Sequence, residues 1–556
     1  MTSTTLHGTP VVPGIGYGPA VRPAPRPTVS AIAAEVPEGG RDGERERFRG
    51  AVAAVASGLE ERAARASGQA AEVLTTTAVM ANDPSLAAAV EKAIGSGTPA
   101  VQAVVAATEQ FTTMFAAAGG LMAERVTDLE DIRDRVVAEL LGLPEPGVPA
   151  PEVPSVLLAD DLAPADAALL DPQLVVALAT RLGGPTSHTA IIARQLGIPS
   201  VVAVSGIEEI PAGTLVLVDG ETGTVVAEPD EAEAQQQVSA AGDRAREAAT
   251  WRGTGHTSDG HEVELLANVA DGAAAREAAN GVAQGIGLFR TELCFLSASA
   301  EPSVEQQTAI YRGVMEAFPD SKIVVRTLDA GSDKPIVYAG LPDEANPALG
   351  IRGLRIALDD PGILDRQLDA IAAAAQSRDS VWVMAPMVAT LAEAEFFAER
   401  VRSRGMVPGI MIEVPAAALL AESLLAVVDF VSIGTNDLTQ YTMAADRLSP
   451  SLAALSDPWQ PAVLQLVGIT AQAGERAGKP VGVCGEAAAD PTLAAVLVGL
   501  GVTSLSAAAA ALPAVGARLS GVSLAACQEA ARAALATTDP GAAREAARAV
   551  LDAVEQ

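Results

Sequence analysis

The chain has 556 residues, enough for three or four domains at about 150 residues each. Lys and Arg total 37 against 69 Asp and Glu, a net charge of −32, which speaks against general binding to nucleic acid or to an anionic membrane. Three Cys, with no Cys-x-x-Cys and no His/Cys cluster, argue against a disulfide scaffold and against a zinc site.

The N-terminus has no basic segment followed by an apolar core, so no signal peptide is expected and a cytoplasmic location is. The first 22 residues read as short extended segments broken by Gly and Pro. From Arg41 to Leu143 the chain is rich in Ala, Glu and Arg. Apolar residues recur there at helical spacing (Val52, Val55, Leu59; Val101, Val104, Val105), which predicts amphipathic helices joined by short turns. From Pro144 to Val226 strand-like apolar runs such as VPSVLLA and TLVLVDG alternate with helical pieces, the pattern of an α/β domain. If the earliest strands belong to it, the helical block is an insertion. Residues 228–252 are polar and Pro-free after Pro229, as in an exposed connecting helix.

The remainder has a βα rhythm. Strands are predicted at Glu262–Ala270, Gly285–Thr291, Ile323–Leu328, Val381–Met387, Gly409–Val414, Phe430–Ile433, Val481–Cys484 and Thr503–Ala507. Eight strands with helical crossovers in about 300 residues fit a (β/α)8 barrel, with an open doubly wound sheet as the alternative. No Gly-x-Gly-x-x-Gly follows the first strand, which weakens a dinucleotide-binding reading. Pro491 to Ala517 carries no charged residue, but Pro, Gly and an Ala run interrupt it. It reads as a buried helix and strand, not a membrane span.

Of four His, one stands in a distinctive setting: Gly183-Gly184-Pro185-Thr186-Ser187-His188, followed by an apolar helical stretch. Thr186 and Ser187 are good helix caps, which puts His188 in the first turn, where unpaired N–H groups and the helix dipole favour an anion. A neutral imidazole is a competent nucleophile near pH 7, and a phosphoryl group on its ring would gain from that placement. His7, His256 and His261 read as surface residues.

Charged residues gather at the predicted strand ends: Arg290, Arg326, Arg352, Arg447 and Lys334, with Glu413 and Asp437 on neighbouring strands. In a barrel these converge on the face where active sites lie. Guanidinium forks suit phosphate and carboxylate oxygens, and two hard carboxylates beside them suit Mg²⁺. Cys484 ends another strand and faces the same site, either as a proton donor or as an inert buried thiol.

The segments GGPTSHTAIIARQLGIP, GLFRTE, VRTLDAGSDK, NPALGIRGLR, IMIEVPAA and SIGTNDLTQYTMAADR resemble enzyme I of the bacterial phosphoenolpyruvate–sugar phosphotransferase system, in order and over nearly the whole chain. The resemblance implies a swivelling phosphohistidine α/β domain (1–22 plus 144–227) with an inserted helical HPr-binding domain (23–143). It further implies a helical linker (228–252) and a (β/α)8 domain (253–556) that binds phosphoenolpyruvate and dimerises. By motif match, His188 is phosphorylated. Arg290, Arg326 and Arg352 hold phosphate and carboxylate, and Asn436 and Arg447 complete the cradle. Glu413 and Asp437 ligate Mg²⁺, and Cys484 protonates the enolate. Departures are Pro185 in place of a basic residue, Ser332 in place of Gly, and Ala163 and Ala167 where Thr is common, which leaves open what orients the His188 ring. A dikinase or phosphoenolpyruvate synthase would need a further nucleotide-binding domain. A non-catalytic HPr-binding regulator would be expected to lose one of these residues, and none is missing.

Overall fold

The computed structural model describes residues 3–553 apart from 25–26, 30–34, 66–68, 119–124, 144–145, 149–150, 163, 168–169, 185–186, 297, 299, 332–335, 337, 339–343, 377 and 448. The chain forms two compact units, Met1–Gly242 and Asp243–Gln556.

In the first unit, eight strands form one mixed sheet. They are β1 (Thr4–His7), β2 (Thr9–Val12), β3 (Ile15–Val21), β4 (Ser155–Ala159), β5 (Val175–Thr180), β6 (Ser200–Val202), β7 (Leu215–Asp219) and β8 (Thr224–Ala227), in the order β1-β8-β7-β3-β4-β5-β6-β2. β3 pairs in parallel with β4, so the chain leaves the sheet at Val21 and returns at Ser155. Between lie helices α1 (Arg41–Arg65), α2 (Gln69–Ala81), α3 (Pro84–Gly95), α4 (Ala100–Ala118) and α5 (Val126–Leu141). The period-two alternation of strands divides the apolar residues between two faces. Leu157, Ala159 and Leu178 pack with Phe48, Leu59, Val104 and Ile132 of the helical block in one core. Val156, Leu158, Ala177 and Ala179 pack with Val216, Val218 and Val225 on the other face. Arg135 of α5, 1% exposed, adds a polar tie: its guanidinium pairs with Asp131 at 2.8 Å and with Asp166 of the short helix Pro164–Ala167.

In the second unit, β9 (Glu264–Val269), β10 (Ile286–Arg290), β11 (Ile323–Arg326), β12 (Val381–Ala385), β13 (Val407–Ile412), β14 (Phe430–Gly434), β15 (Val481–Cys484) and β16 (Ser504–Ala507) close into a parallel barrel, β16 pairing with β9. The expected (β/α)8 architecture is therefore present, each strand within two residues of its predicted ends. These strands are buried on both faces, which is why they read as continuous apolar runs instead of alternating ones. Helix starts follow their caps: Ser303 with Gln306 and Thr390 with Glu393 form capping boxes, and Asp271 and Asp490 accept from first-turn N–H groups. The uncharged stretch after Pro491 is the buried helix Pro491–Gly499 followed by β16, as its composition predicts. Among the described residues no single helix is long and apolar enough to cross a membrane.

Candidate functional site

The first element of interest is α6 (His188–Leu196). Ser187 caps it, its hydroxyl accepting from the Ala190 N–H at 3.2 Å, and Gly197 closes it in the left-handed conformation at φ +66°. His188 therefore opens a helix, as the sequence predicts. Its side chain lies outside the described residues, as do Pro185, Thr186 and Ala163. Gly183 turns at φ +91° to lead the chain in. Thr189, 2% exposed, anchors the first turn from inside, its hydroxyl donating to Asp161 Oδ1 at 3.2 Å.

The second element is the C-terminal mouth of the barrel. The sequence treats five cations there as equivalent, and the structure sorts them. Arg290, the last residue of β10, is exposed and lies in register with Arg326 of β11. Arg326 is 9% exposed: Nη2 donates to Glu292, Nη1 lies 3.4 Å from Asp329 Oδ2, and Nε has no hydrogen-bond partner. Arg352 is more deeply placed. Its Nε and Nη2 form a fork onto both oxygens of Asp329 at 3.0 and 3.1 Å, and Nη1 lies 3.3 Å from Asp437 Oδ1. Arg447 reaches the other Asp437 oxygen at 3.4 Å. Lys334 lies outside the described residues. Burial works against the charge on Arg326 and Arg352, but the adjacent carboxylates outweigh it and keep both protonated at every accessible pH.

The carboxylates are equally constrained. Glu413 is fully buried. Oε1 accepts from the Met387 N–H at 2.6 Å, and Oε2 has no partner. Met387 holds that N–H in place at φ +62°, an unusual conformation for a side chain with a Cβ. Burial, together with Asp437 and Asp329, pushes the Glu413 carboxyl up to about 8, with Arg326 opposing. Gly434 makes room here: a Cβ on it would stand 3.1 Å from Glu413 Oε2. Two buried carboxylates follow neighbouring strands, Glu413 with Oε2 free of hydrogen-bond donors and Asp437 with Oδ1 met only by the Arg352 ion pair at 3.3 Å, an oxygen set with the chemistry of a hard divalent cation. Among the described residues no three His, Cys, Asp or Glu are arranged to hold a metal ion by themselves, so any cation held here would take its remaining ligands from water and substrate.

Cys484 ends β15 beside Gly434 of β14 and is 3% exposed, its thiol donating weakly to the Ile433 carbonyl at 3.5 Å. Burial pushes this thiol up, against the Ser432 hydrogen bond and the Arg326 charge, so it stays protonated at neutral pH. Asn436 follows in the first turn after β14, facing the Gly485 bend, where φ is +113°. The barrel thus brings together Arg290, Arg326, Arg352, Asn436, Arg447, Glu413, Asp437 and Cys484, while His188 belongs to the other compact unit. Sequence reasoning misses the roles of Glu292 and Asp329. Both stand at strand ends three or fewer residues from an arginine, the one signal that could have marked them as arginine holders.

The chain is similar to known proteins over its whole length. The family model for the PEP-binding domain of PEP-utilising enzymes matches residues 244–524, that for the N-terminal domain residues 7–125, and that for the mobile domain residues 151–223. A phosphoenolpyruvate-protein phosphotransferase of Streptomyces coelicolor is 50% identical over 552 residues, covering 99% of each chain. One of Haloferax volcanii is 39% identical over 587 residues, covering 100% of this chain and 98% of its own. One of Geobacillus stearothermophilus is 37% identical over 537 residues, covering 90% of each.

Proposed function

This chain belongs to the PEP-utilising enzymes and, among them, to the enzyme I phosphotransferases, and we propose on that premise that it moves the phosphoryl group of phosphoenolpyruvate to His188 and then to the carrier HPr. The observation that supports the reading is the cluster of interlocked arginines and buried carboxylates at the barrel mouth, with Glu413 Oε2 left unpartnered. Arg290, Arg326 and Arg352, with Arg447 and Asn436, bind the phosphate and carboxylate of the substrate. Glu413 and Asp437 would hold Mg²⁺, which when bound supplies charge neutralisation at the phosphate.

Phosphoryl transfer draws little on covalent help, so positioning and charge dominate. The His188 imidazole nitrogen attacks phosphorus, the bond from phosphorus to the enol oxygen breaks, and the enolate remains among the arginines. The protonated Cys484 thiol gives its proton to the methylene carbon, which yields pyruvate, and the thiolate regains a proton from solvent. His188 then passes the phosphoryl group to HPr. In this reading residues 1–22 with 144–227 carry the histidine, 23–143 bind HPr, 228–252 connect, and 253–556 bind phosphoenolpyruvate and dimerise. The exposed Leu419 and Leu420 offer apolar surface for the last role, and the site of action is the cytoplasm.

The test is incubation of the protein with phosphate-labelled phosphoenolpyruvate and Mg²⁺, without ATP. Acid-labile, base-stable label that passes to added HPr is the expected result. Label that requires ATP, or HPr that binds without receiving label, would replace the reading with a dikinase relative or a regulator. Cys484→Ala is expected to slow pyruvate formation by about 10²- to 10⁴-fold, the usual weight of a general acid. Exchange of phosphoryl groups between His188 and phosphorylated HPr should stay at the wild-type rate, because that step leaves the enolate out.

A further inference from the structure

We infer that Gln367 is the positioning residue of the phosphoenolpyruvate cradle, its one amide tying the arginine-bearing ends of β10 and β11 together from behind. The inference rests on the reading of Arg290 and Arg326 as anion-binding groups. Gln367 lies in the interior of the helix Gly362–Ala375, whose inner face packs on the barrel, and is fully buried. The pairing of β10 with β11 ends at Arg290 and Arg326. Two residues on, the Leu328 N–H donates to Gln367 Oε1 at 3.0 Å. Gln367 Nε2 donates to the Thr291 hydroxyl at 3.0 Å and to the Tyr311 hydroxyl at 3.2 Å. Thr291 in turn donates to the Arg326 carbonyl at 2.9 Å, and Tyr311 to Gln307 Oε1 at 3.0 Å.

The residues so joined are sequence neighbours of the charged ones. Thr291 stands between Arg290 and Glu292, and Leu328 between Arg326 and Asp329. Gln367, Thr291, Tyr311 and Gln307 are all 0% exposed. A buried amide costs desolvation that an apolar side chain of the same shape avoids, and a fully satisfied network repays that cost in fixed geometry. Here the geometry it fixes is the spacing of two strand ends whose charged side chains, pointing the other way, meet the substrate. A shift of about 1 Å in such a frame is enough to weaken binding and transfer by an order of magnitude or more.

The test is Gln367→Met, nearly isosteric and without hydrogen bonds, with labelling by phosphoenolpyruvate as readout. The KM for phosphoenolpyruvate is expected to rise about tenfold. Exchange between His188 and phosphorylated HPr, which does not use the barrel mouth, should be unchanged. Thr291→Val removes one hydroxyl from the same network and should raise KM in the same direction. It decides the matter alone if Gln367→Met does not fold. Thr470→Val is the control: that hydroxyl, also fully buried, donates to the Leu466 carbonyl at 2.9 Å on a helix away from these strand ends, and its loss should leave KM unaltered. An unchanged KM in the network variants, or an equal rise in Thr470→Val, overturns the inference. Failure of the wild-type chain to take label from phosphoenolpyruvate overturns the cradle reading itself, and is seen before any variant is made.

Discussion

His188→Ala will lose phosphoenolpyruvate-dependent labelling by about 10³-fold or more, the scale on which removal of a nucleophile acts when the rest of the machinery is intact. The substitution is mild for the fold. Alanine is a good helix former, and the Ser187 cap onto Ala190 does not involve the histidine side chain. Phosphoenolpyruvate should still bind, because the arginines and carboxylates belong to a compact unit with its own core. Pyruvate release should fall together with labelling, since the enolate forms only when phosphorus departs. Calorimetric binding beside a label assay separates these quantities. Retained binding with lost label is the expected pair, and label that persists in the variant would mean that another residue is the acceptor.

Arg352→Met will have a second large effect, on stability and on chemistry at once. The guanidinium is 1% exposed and forks onto Asp329 while facing Asp437. Removing it leaves two carboxylates buried with reduced compensation, a change that costs about 3–5 kcal/mol when a buried ion pair is broken from one side. Turnover should fall by about 10²- to 10³-fold, as when one donor to a developing anion is removed. The double variant Arg352→Met/Asp329→Asn separates the two losses. With the partner charge gone, urea unfolding should recover most of its midpoint, while turnover stays low. Recovery of both would make Arg352 a structural ion-pair residue only.

The barrel was legible in the sequence because parallel strands buried on both faces leave uninterrupted apolar runs such as IVVR and VWVMA, bounded by polar helix starts. The gathering of charged residues at one mouth of the barrel was legible for the same reason, since they stand at the ends of such runs. Less visible were the groups that hold those charges. Asp329 and Glu292 read as further strand-end acids, and only the folded structure shows which arginine each one grips. Gln367 was invisible, since a glutamine inside an amphipathic helix normally faces water and its burial is decided by tertiary packing. The left-handed Met387 was equally hidden, because its conformation is one that its own side chain disfavours and its surroundings impose. In the first unit, the helical block reads as a separate domain, since nothing local announces that β4 and β5 share its apolar core.

That shared core has a thermodynamic consequence. Phe48, Leu59 and Ile132 of the helices belong to the same buried apolar cluster as Leu157 and Leu178 of the sheet, and Arg135 bridges the same boundary. Unfolding either half would open that shared cluster, so the two are expected to behave as a single cooperative foldon. Native-state hydrogen exchange should give the slowest amides of α5 and β4 the same opening free energy, and both should change together when Arg135 is replaced. A helical block expressed alone would carry a bare hydrophobic face into solution and behave as a molten or aggregating fragment.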